Sequence, residues 1–271
     1  MSETDDAKQK AAATYNAAAD FFDHPVNTFW ERYGRRTIDR LQLERGARVL
    51  DACCGSGASA IPAAQAVGPE GSVVGVDLAE NLLKLARGKS RQLGLTNAVF
   101  QTGDMTALEF PDESFDAVVC VFGIFFVPDM EGALRELKRV VRHDGRMAIT
   151  TWGPRLFEPI NSVFWDSVRS VRPDLYKGFN PWDRICEAGA LRSLLESAGL
   201  ADVRVAAETD SQPVNSPEDW WSMILGSGYR GTVDQLSAAE RELVKNQNFD
   251  FIRRENVRAI EASVLYAQAS A

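Results

Sequence analysis

Short apolar runs alternate with longer amphipathic segments through the middle of the chain. The runs are rich in valine and nearly continuous, as in Ala-Val-Val-Cys-Val at 117–121, which is typical of strands that helices cover on both faces. The pattern predicts strands over 47–51, 72–77, 97–101, 115–121 and 145–152, alternating with helices over 57–67, 79–93 and 129–142. This alternation predicts an α/β fold with a doubly wound parallel sheet.

The two ends of the chain add helices and further strands. Residues 6–42 predict helices in pieces, with an alanine-rich segment to about Asp20 and a second helix over 28–41. After Trp152 the chain is aromatic-rich and irregular to about Trp182. The remainder predicts a helix over 187–198, a strand over 202–208, helices within 216–255 and a last strand over 261–267.

We expect these segments to form a single structural unit. Its predicted divisions are N-terminal helices over 1–45, a core over 46–152, and the rest of the sheet with a helical cap over 153–271.

Two predicted strands end in an acid beside small residues. The strand 47–51 ends at Asp51 and runs into a turn that contains Gly55 and Gly57; twenty residues after Gly57, the strand 72–77 ends at Asp77. Glycines let the backbone approach a ligand closely, and the second acid can reach ribose hydroxyls. The pair predicts a nucleoside cofactor at the carboxyl ends of parallel strands.

Two cofactors fit this pattern unequally. Residues 55–60 match the G-x-G-x-x-G/A pattern of NAD sites, but that pattern alone is weak. Asp51 would repel a pyrophosphate at the turn. S-adenosylmethionine (SAM) has no phosphate and carries an ammonium and a sulfonium, so an acid at the turn favours SAM.

Composition narrows the choice of partners and compartment. The chain has 271 residues and a formal net charge of −8. Its sequence has no cluster of Lys and Arg with interleaved aromatics, so we expect no nucleic-acid partner. The cysteines Cys53, Cys54, Cys120 and Cys186 suit a reducing compartment. We expect a cytoplasmic protein with no signal peptide and no membrane span. Because the sequence has only two histidines, we expect no histidine-based metal site.

Five motifs follow in order along the chain. They are Val-Leu-Asp-Ala-Cys-Cys-Gly-Ser-Gly at 49–57, Val-Gly-Val-Asp-Leu at 74–78, Gly-Asp-Met at 103–105, Phe-Asp-Ala-Val-Val-Cys-Val-Phe-Gly at 115–123, and a segment at 133–146 that begins Ala-Leu-Arg-Glu-Leu. Together, over roughly 30–210, they resemble the class I SAM-dependent methyltransferases, in the small-molecule group similar to the ubiquinone and menaquinone C-methyltransferases. The resemblance implies a Rossmann-like, mostly parallel sheet of seven strands with an antiparallel last strand and a helical cap.

The resemblance also implies a cofactor-binding role for each matching residue. Asp51, Gly55 and Gly57 would shape the pocket for the methionine portion of SAM, near the Phe122 carbonyl, and Tyr33 would contact the carboxylate. Asp77 would accept the ribose hydroxyls, Leu78 would pack beside the adenine, and Asp104 would accept its amino group. The remaining matches are Gly103, Met105 and Cys53. The Met105 backbone would lie beside the adenine ring. Cys53 narrows the loop, since the family has the smaller Gly or Ala at this position.

Simpler explanations exist for several of these residues. Asp51 could be a helix cap and Asp104 the start of a turn, while adjacent cysteines in a tight turn are more typical of small-residue packing than of redox chemistry. The segment at 143–145, His-Asp-Gly, replaces the family's Pro-Gly-Gly turn before the fifth strand.

The acceptor side rests on fewer signals. His24 lies in the segment expected to fold over the active site and is a candidate general base, although a solvent-facing turn histidine is the simpler interpretation. Phe21, Trp30, Phe125 and Trp152 are candidates for an apolar acceptor pocket.

The predicted function is methyl transfer from SAM to a small aromatic or apolar acceptor, with S-adenosylhomocysteine (SAH) as product. An NAD(P)-dependent oxidoreductase and a non-catalytic SAM-binding protein are the alternatives. The predicted partners are a small-molecule acceptor and a second copy of the chain. Methylation of an O, C, N or S atom of the acceptor is open on these residues.

Overall fold

The computed structural model describes residues 3–271, with side chains from Asp6 onward, so the predicted N-terminal division of the chain begins outside the described residues. The helices are α1 (Glu3–Phe22), α2 (Thr28–Leu41), α3 (Ala60–Val67), α4 (Glu80–Gln92), α5 (Met130–Val140), α6 (Ile160–Val171), α7 (Ala188–Ser197), α8 (Pro217–Leu225), α9 (Arg230–Val233) and α10 (Ala238–Arg254). The strands are β1 (Arg48–Ala52), β2 (Ser72–Asp77), β3 (Ala98–Thr102), β4 (Phe115–Val121), β5 (Val141–Trp152), β6 (Ala201–Glu208), β7 (Ser211–Pro213), β8 (Ala259–Glu261) and β9 (Val264–Ser270).

Seven of these strands form one sheet in the order β3-β2-β1-β4-β5-β9-β6. All neighbours pair in parallel except β9, which is antiparallel to both β5 and β6. The α/β class, the seven strands and the antiparallel last strand are therefore confirmed. The strand order reverses between β1 and β4, and in such sheets ligands bind in the crevice at the carboxyl ends of the two strands.

The sheet buries side chains on both faces. Val49 and Leu50, consecutive residues of β1, are both 0% exposed and belong to different hydrophobic clusters, because successive side chains of a strand point to opposite faces. This explains the continuous valine-rich strands of the sequence.

The helical cap is held by a buried polar contact as well as by apolar packing. The Trp220 indole N–H in α8 donates to the Asn248 side-chain oxygen in α10 at 2.9 Å, and the Asn248 amide donates to the Ser167 hydroxyl in α6 at 3.3 Å. Helix α10 begins with a capping box between Ser237 and Glu240. The predicted helices within 216–255 are confirmed.

Two strand predictions at the edges of the core are wrong. The predicted strand 261–267 is two strands, β8 and β9. They separate at Ala262, because its N–H donates to the Asp210 carbonyl and its carbonyl accepts from the Tyr33 hydroxyl, so neither group joins a strand ladder. The strand β7, which pairs with β8, has no sequence signal. Strand β5 begins at Val141 rather than 145 and contains the predicted turn as an irregularity, with Asp144 at φ 61°.

Helix α2 lies unusually close to the turn that follows β1. A Cβ atom on Gly34, in the middle of α2, would overlap the Ala58 carbonyl, whereas a Cβ on Gly88 in α4 would meet nothing within 4 Å. Glycine is otherwise unfavourable inside a helix. Gly34 therefore allows α2 to pack against the turn.

We expect the two glycines to respond oppositely to alanine. Gly34→Ala should lower the free energy of unfolding by about 1–3 kcal/mol through overpacking, and Gly88→Ala should raise it by about 0.5–1 kcal/mol through helix propensity. Urea denaturation followed by tryptophan fluorescence measures both. A Gly34→Ala variant as stable as the parent would contradict this close packing.

Candidate functional site

The turn after β1 is shaped by left-handed backbone. Cys53, Gly55 and Gly57 have φ values of 63°, 53° and 88°, a conformation that glycine adopts freely and other residues rarely. Cys53 is tolerated because it packs against Gly123, where a Cβ would lie 2.5 Å from the Cys53 Cβ. The turn therefore needs small residues on both sides.

Asp77 joins this turn to the end of β2. One carboxylate oxygen accepts a hydrogen bond from the Gly55 N–H and the other from the Ala79 N–H, each at 2.8 Å. Burial raises the pKa of Asp77, and the two backbone hydrogen bonds act in the opposite direction.

Asp51 lies beneath the turn and is fully buried. Its Oδ2 accepts a hydrogen bond from the Ser59 hydroxyl at 2.7 Å, while Oδ1 has no partner. Burial raises the pKa of Asp51 to about 7. The protein thus keeps half of a buried carboxyl unsatisfied directly behind Ser59, which lines the adjoining cavity.

A cavity, here called the strand-end cavity, opens at the carboxyl ends of β1, β2 and β4. The space between its walls, including solvent at the open mouth, is about 910 Å³. Its lining includes the predicted cofactor residues Cys53, Gly55, Asp77, Leu78, Gly103, Asp104, Met105 and Phe122.

Helix α1 covers the strand-end cavity with one face. Lys8, Ala11, Ala12 and Tyr15 line it, at the spacing of residues that share a helix face. Lys8 donates to Asp104 at 2.7 Å and to the Thr106 hydroxyl at 2.6 Å. Burial opposes ionisation of Asp104, but the hydrogen bonds from Lys8 and Thr106 outweigh it and hold the pKa of Asp104 below its usual range.

A second cavity, the aromatic chamber, adjoins the first. Its walls hold rings from α2, β5, the segment 122–126 and the cap, and the space between them is about 630 Å³. Four residues line both cavities: Tyr15, Trp30, Phe122 and Phe126. The predicted acceptor residues Trp30, Phe125 and Trp152 all line the chamber, and Phe122 stacks on Trp152 at 3.9 Å between ring centroids.

Three of the predicted cofactor residues lie off the cavity walls. Asp51 lies beneath the turn, Gly57 belongs to the turn without lining the cavity, and Tyr33 lines neither cavity. The Tyr33 hydroxyl donates to the Ala262 carbonyl at 2.6 Å, and burial raises the pKa of Tyr33 to about 12. The Tyr33 hydroxyl thus lies at the break between β8 and β9, and a cofactor contact by Tyr33 stays a prediction.

His24 and Phe21 also lie away from both cavities. The His24 ring stacks on Phe21 with 5.8 Å between centroids, and its Nδ1 accepts a hydrogen bond from the Val26 N–H at 3.4 Å. His24 therefore lies in a turn outside both cavity linings, and catalysis by His24 and substrate binding by Phe21 stay predictions.

Sequence reasoning missed the cavity roles of Lys8 and of the chamber residues Lys177 and Tyr229. The spacing of Lys8, Ala11, Ala12 and Tyr15 was available as a signal. Lys177 lies between Tyr176 and Phe179, after α6. This stretch has no periodic pattern from which the direction of the side chain could be predicted.

Across residues 3–271, no helix combines the length and apolar character that crossing a bilayer requires. The same residues bring together no group of three or more His, Cys, Asp or Glu suited to a metal ion.

We expect Asp51 to make stability depend on pH. Its pKa is raised from 3.8 to about 7, so between these values the folded chain holds a proton that the unfolded chain has released. The stabilisation is complete below about pH 4 and is lost as the pH rises to about 7, by up to about 1.4 kcal/mol per pH unit. Urea unfolding of the parent and of Asp51→Asn across this range measures it. Parallel curves for the two proteins would contradict a raised pKa.

Comparison with known proteins places the chain in a family. A model of the methyltransferase domain matches residues 43–196. A demethylmenaquinone methyltransferase from Geobacillus kaustophilus is 35% identical over 182 residues, which are 63% of this chain and 77% of the relative. An aklanonic acid methyltransferase from a Streptomyces species is 31% identical over 209 residues, which are 73% of this chain and 94% of the relative.

A solved structure agrees in fold. The crystal structure of a SAM-dependent methyltransferase from Aquifex aeolicus matches with a TM-score of 0.54 and 22% identity, over 70% of this chain and 89% of that one. The chain accordingly belongs to the methyltransferase domain family, and it is a class I SAM-dependent methyltransferase of small molecules.

Proposed function

We propose that the strand-end cavity holds SAM, with Asp77 at the ribose, Asp104 at the adenine, and the turn 53–57 with Phe122 around the methionine portion. The charges of the cavity support this assignment. Among the described lining residues, Asp77 and Asp104 are acids, and the single cation, Lys8, is already paired with Asp104. A pyrophosphate would find no free cation there, whereas the ammonium and sulfonium of SAM meet an excess of acid.

We propose further that the acceptor is a planar aromatic or apolar molecule bound in the aromatic chamber. The observation that carries this proposal is the wall of Tyr15, Trp30, Phe122 and Phe126 common to both cavities. Because the two spaces adjoin along this wall, an acceptor in the chamber would lie next to the reactive end of the cofactor.

The chain contributes alignment and exclusion of water. SAM, when bound, supplies an electrophilic methyl group on its sulfonium. Positioning of the two reactants can lower a barrier by about 7–11 kcal/mol. The described portion of the chamber wall has no histidine or carboxylate, and burial, followed by the charge of Asp77, raises the pKa of Tyr15. Tyr15 is therefore a hydrogen-bond donor to the acceptor rather than a base.

We also propose a cytoplasmic setting without a nucleic-acid partner. The four cysteines are free thiols, which supports a reducing cytoplasm, and a net charge of −8 opposes binding to nucleic acid. A homodimer stays a prediction.

Ligand binding separates the methyltransferase from its alternatives. We expect SAH to raise the melting temperature, by an amount equivalent to about 2.7 kcal/mol at a hundredfold excess over its Kd, and NADH to leave it unchanged. Labelled SAM should then transfer its methyl group to demethylmenaquinone or aklanonic acid, the acceptors named for the two relatives. A shift with NADH alone would favour the oxidoreductase, and SAH binding without any transfer would favour the non-catalytic protein.

Asp77 should dominate the affinity for the nucleoside. We expect Asp77→Ala and Asp77→Asn each to weaken SAH binding at least tenfold, about 1.4 kcal/mol, through loss of charge-assisted hydrogen bonds. Isothermal titration calorimetry measures this. The control is Asp144→Asn, since the Asp144 side chain is 85% exposed and lines neither cavity. Unchanged affinity in the Asp77 variants would refute the ribose assignment.

A further inference from the structure

The walls of the aromatic chamber select for flat molecules. Phe122 and Trp152 stack with an interplanar angle of 13°, and Trp30 meets both at 5.7 and 5.8 Å between centroids. Farther from the strand-end cavity, Phe125 meets Trp182 at 5.6 Å and Trp165 meets Tyr229 at 5.8 Å. Such surfaces favour ring systems that offer a face or an edge to each wall.

The chamber contains a single charge. Lys177 is the one charged side chain among the described residues that line it. Its ammonium lies 5.7 Å from the centre of the Trp165 ring, and within residues 3–271 it has no ion pair. Partial burial lowers the pKa of Lys177, although the residue as a whole is exposed, and no anion compensates the ammonium for the hydration that it has lost. An anionic ligand group would restore that loss.

Acids behind the wall form no ion pair with Lys177. Glu158 and Asp183 are close enough to raise the pKa of Tyr229, but their hydrogen bonds go to other groups. Glu158 accepts from Asn161 and Ser162 at 3.0 and 2.7 Å, and Asp183 accepts from the Asn180 N–H at 2.7 Å. Within residues 3–271 the Lys177 ammonium therefore stays available to an anionic ligand.

The position of Lys177 also orients a ligand. Lys177 is an exposed residue that lines the chamber but not the strand-end cavity. The residues that line both cavities are Tyr15, Trp30, Phe122 and Phe126. A group held by Lys177 would consequently be at the end of the molecule that is remote from the wall next to the cofactor.

We propose that the acceptor is a planar aromatic anion whose carboxylate or similar acidic group binds Lys177 at the mouth, while a different atom, at the shared wall, receives the methyl group. Lys177 is thus a specificity residue for the acceptor. This inference rests on the proposed function, because it assumes that the chamber is the acceptor site.

Two matched probes test the charge requirement. Anthraquinone-2-carboxylate and anthraquinone-2-carboxamide share a flat ring system and differ in charge. Isothermal titration calorimetry on the full chain, with and without SAH, should show the carboxylate binding at least tenfold more tightly. Lys177→Met should remove this preference by weakening the carboxylate alone, and Lys177→Arg should keep it.

The control variant is Lys245→Met, which removes an ammonium that lies 5.4 Å from the Phe249 ring in α10, outside both cavities. It should retain the preference for the carboxylate. A parent protein that binds the probes equally, or binds neither, overturns the proposal, as does a Lys177→Met variant that keeps the preference. The titration of SAH itself tests the proposed function separately. Because the probes are also compared without SAH, their preference for the carboxylate can be measured even if SAH does not bind.

Discussion

The Asp77 carboxylate accepts hydrogen bonds from the Gly55 and Ala79 N–H groups, and the shape of the site depends on this pair of contacts. They hold the turn after β1 against the end of β2, so that the left-handed backbone at Cys53, Gly55 and Gly57 stays open toward the cavity. Each oxygen keeps a lone pair for a ligand. The same buried charge makes the cavity attractive to a cation, which links the geometry of the turn to the choice of cofactor.

The rest of the site is assembled from segments far apart in the chain. The ion pair between Lys8 and Asp104 spans 96 positions, and it places the Tyr15 face of α1 over the cavity. Trp30 in α2 and Trp152 in β5 then complete an aromatic wall whose rings are 5.8 Å apart. The acidic cavity and the aromatic chamber are consequently two environments with one common boundary, which suits a reaction between a charged donor and an aromatic acceptor.

The sequence predicted the features that are encoded locally. Strand-end residues such as Asp77 and Gly55 reach the cavity because their strands place them there, and the alternation of strands and helices was sufficient to infer the sheet. Three predicted site residues lie outside both cavity linings: Phe21 in α1, His24 in the turn after it, and Tyr33 in α2. Which side of a helix faces a cavity depends on its packing against distant strands, and here Tyr33 is drawn to the Ala262 carbonyl. The split between β8 and β9 has the same origin.

The absence of a histidine or carboxylate among the described residues that line the chamber has a physical counterpart in these contacts. Burial, and then the charge of Asp77, raises the pKa of Tyr15, so the acid that favours a cationic cofactor also keeps the nearest hydroxyl protonated. A protonated phenol cannot abstract a proton, but it can donate a hydrogen bond to an acceptor that is already electron-rich. The chain is therefore better suited to orienting a reactive acceptor than to activating an inert one. The protonated Tyr15 at the shared wall and the Lys177 ammonium elsewhere in the chamber are both hydrogen-bond donors, which can orient an acceptor without removing a proton from it.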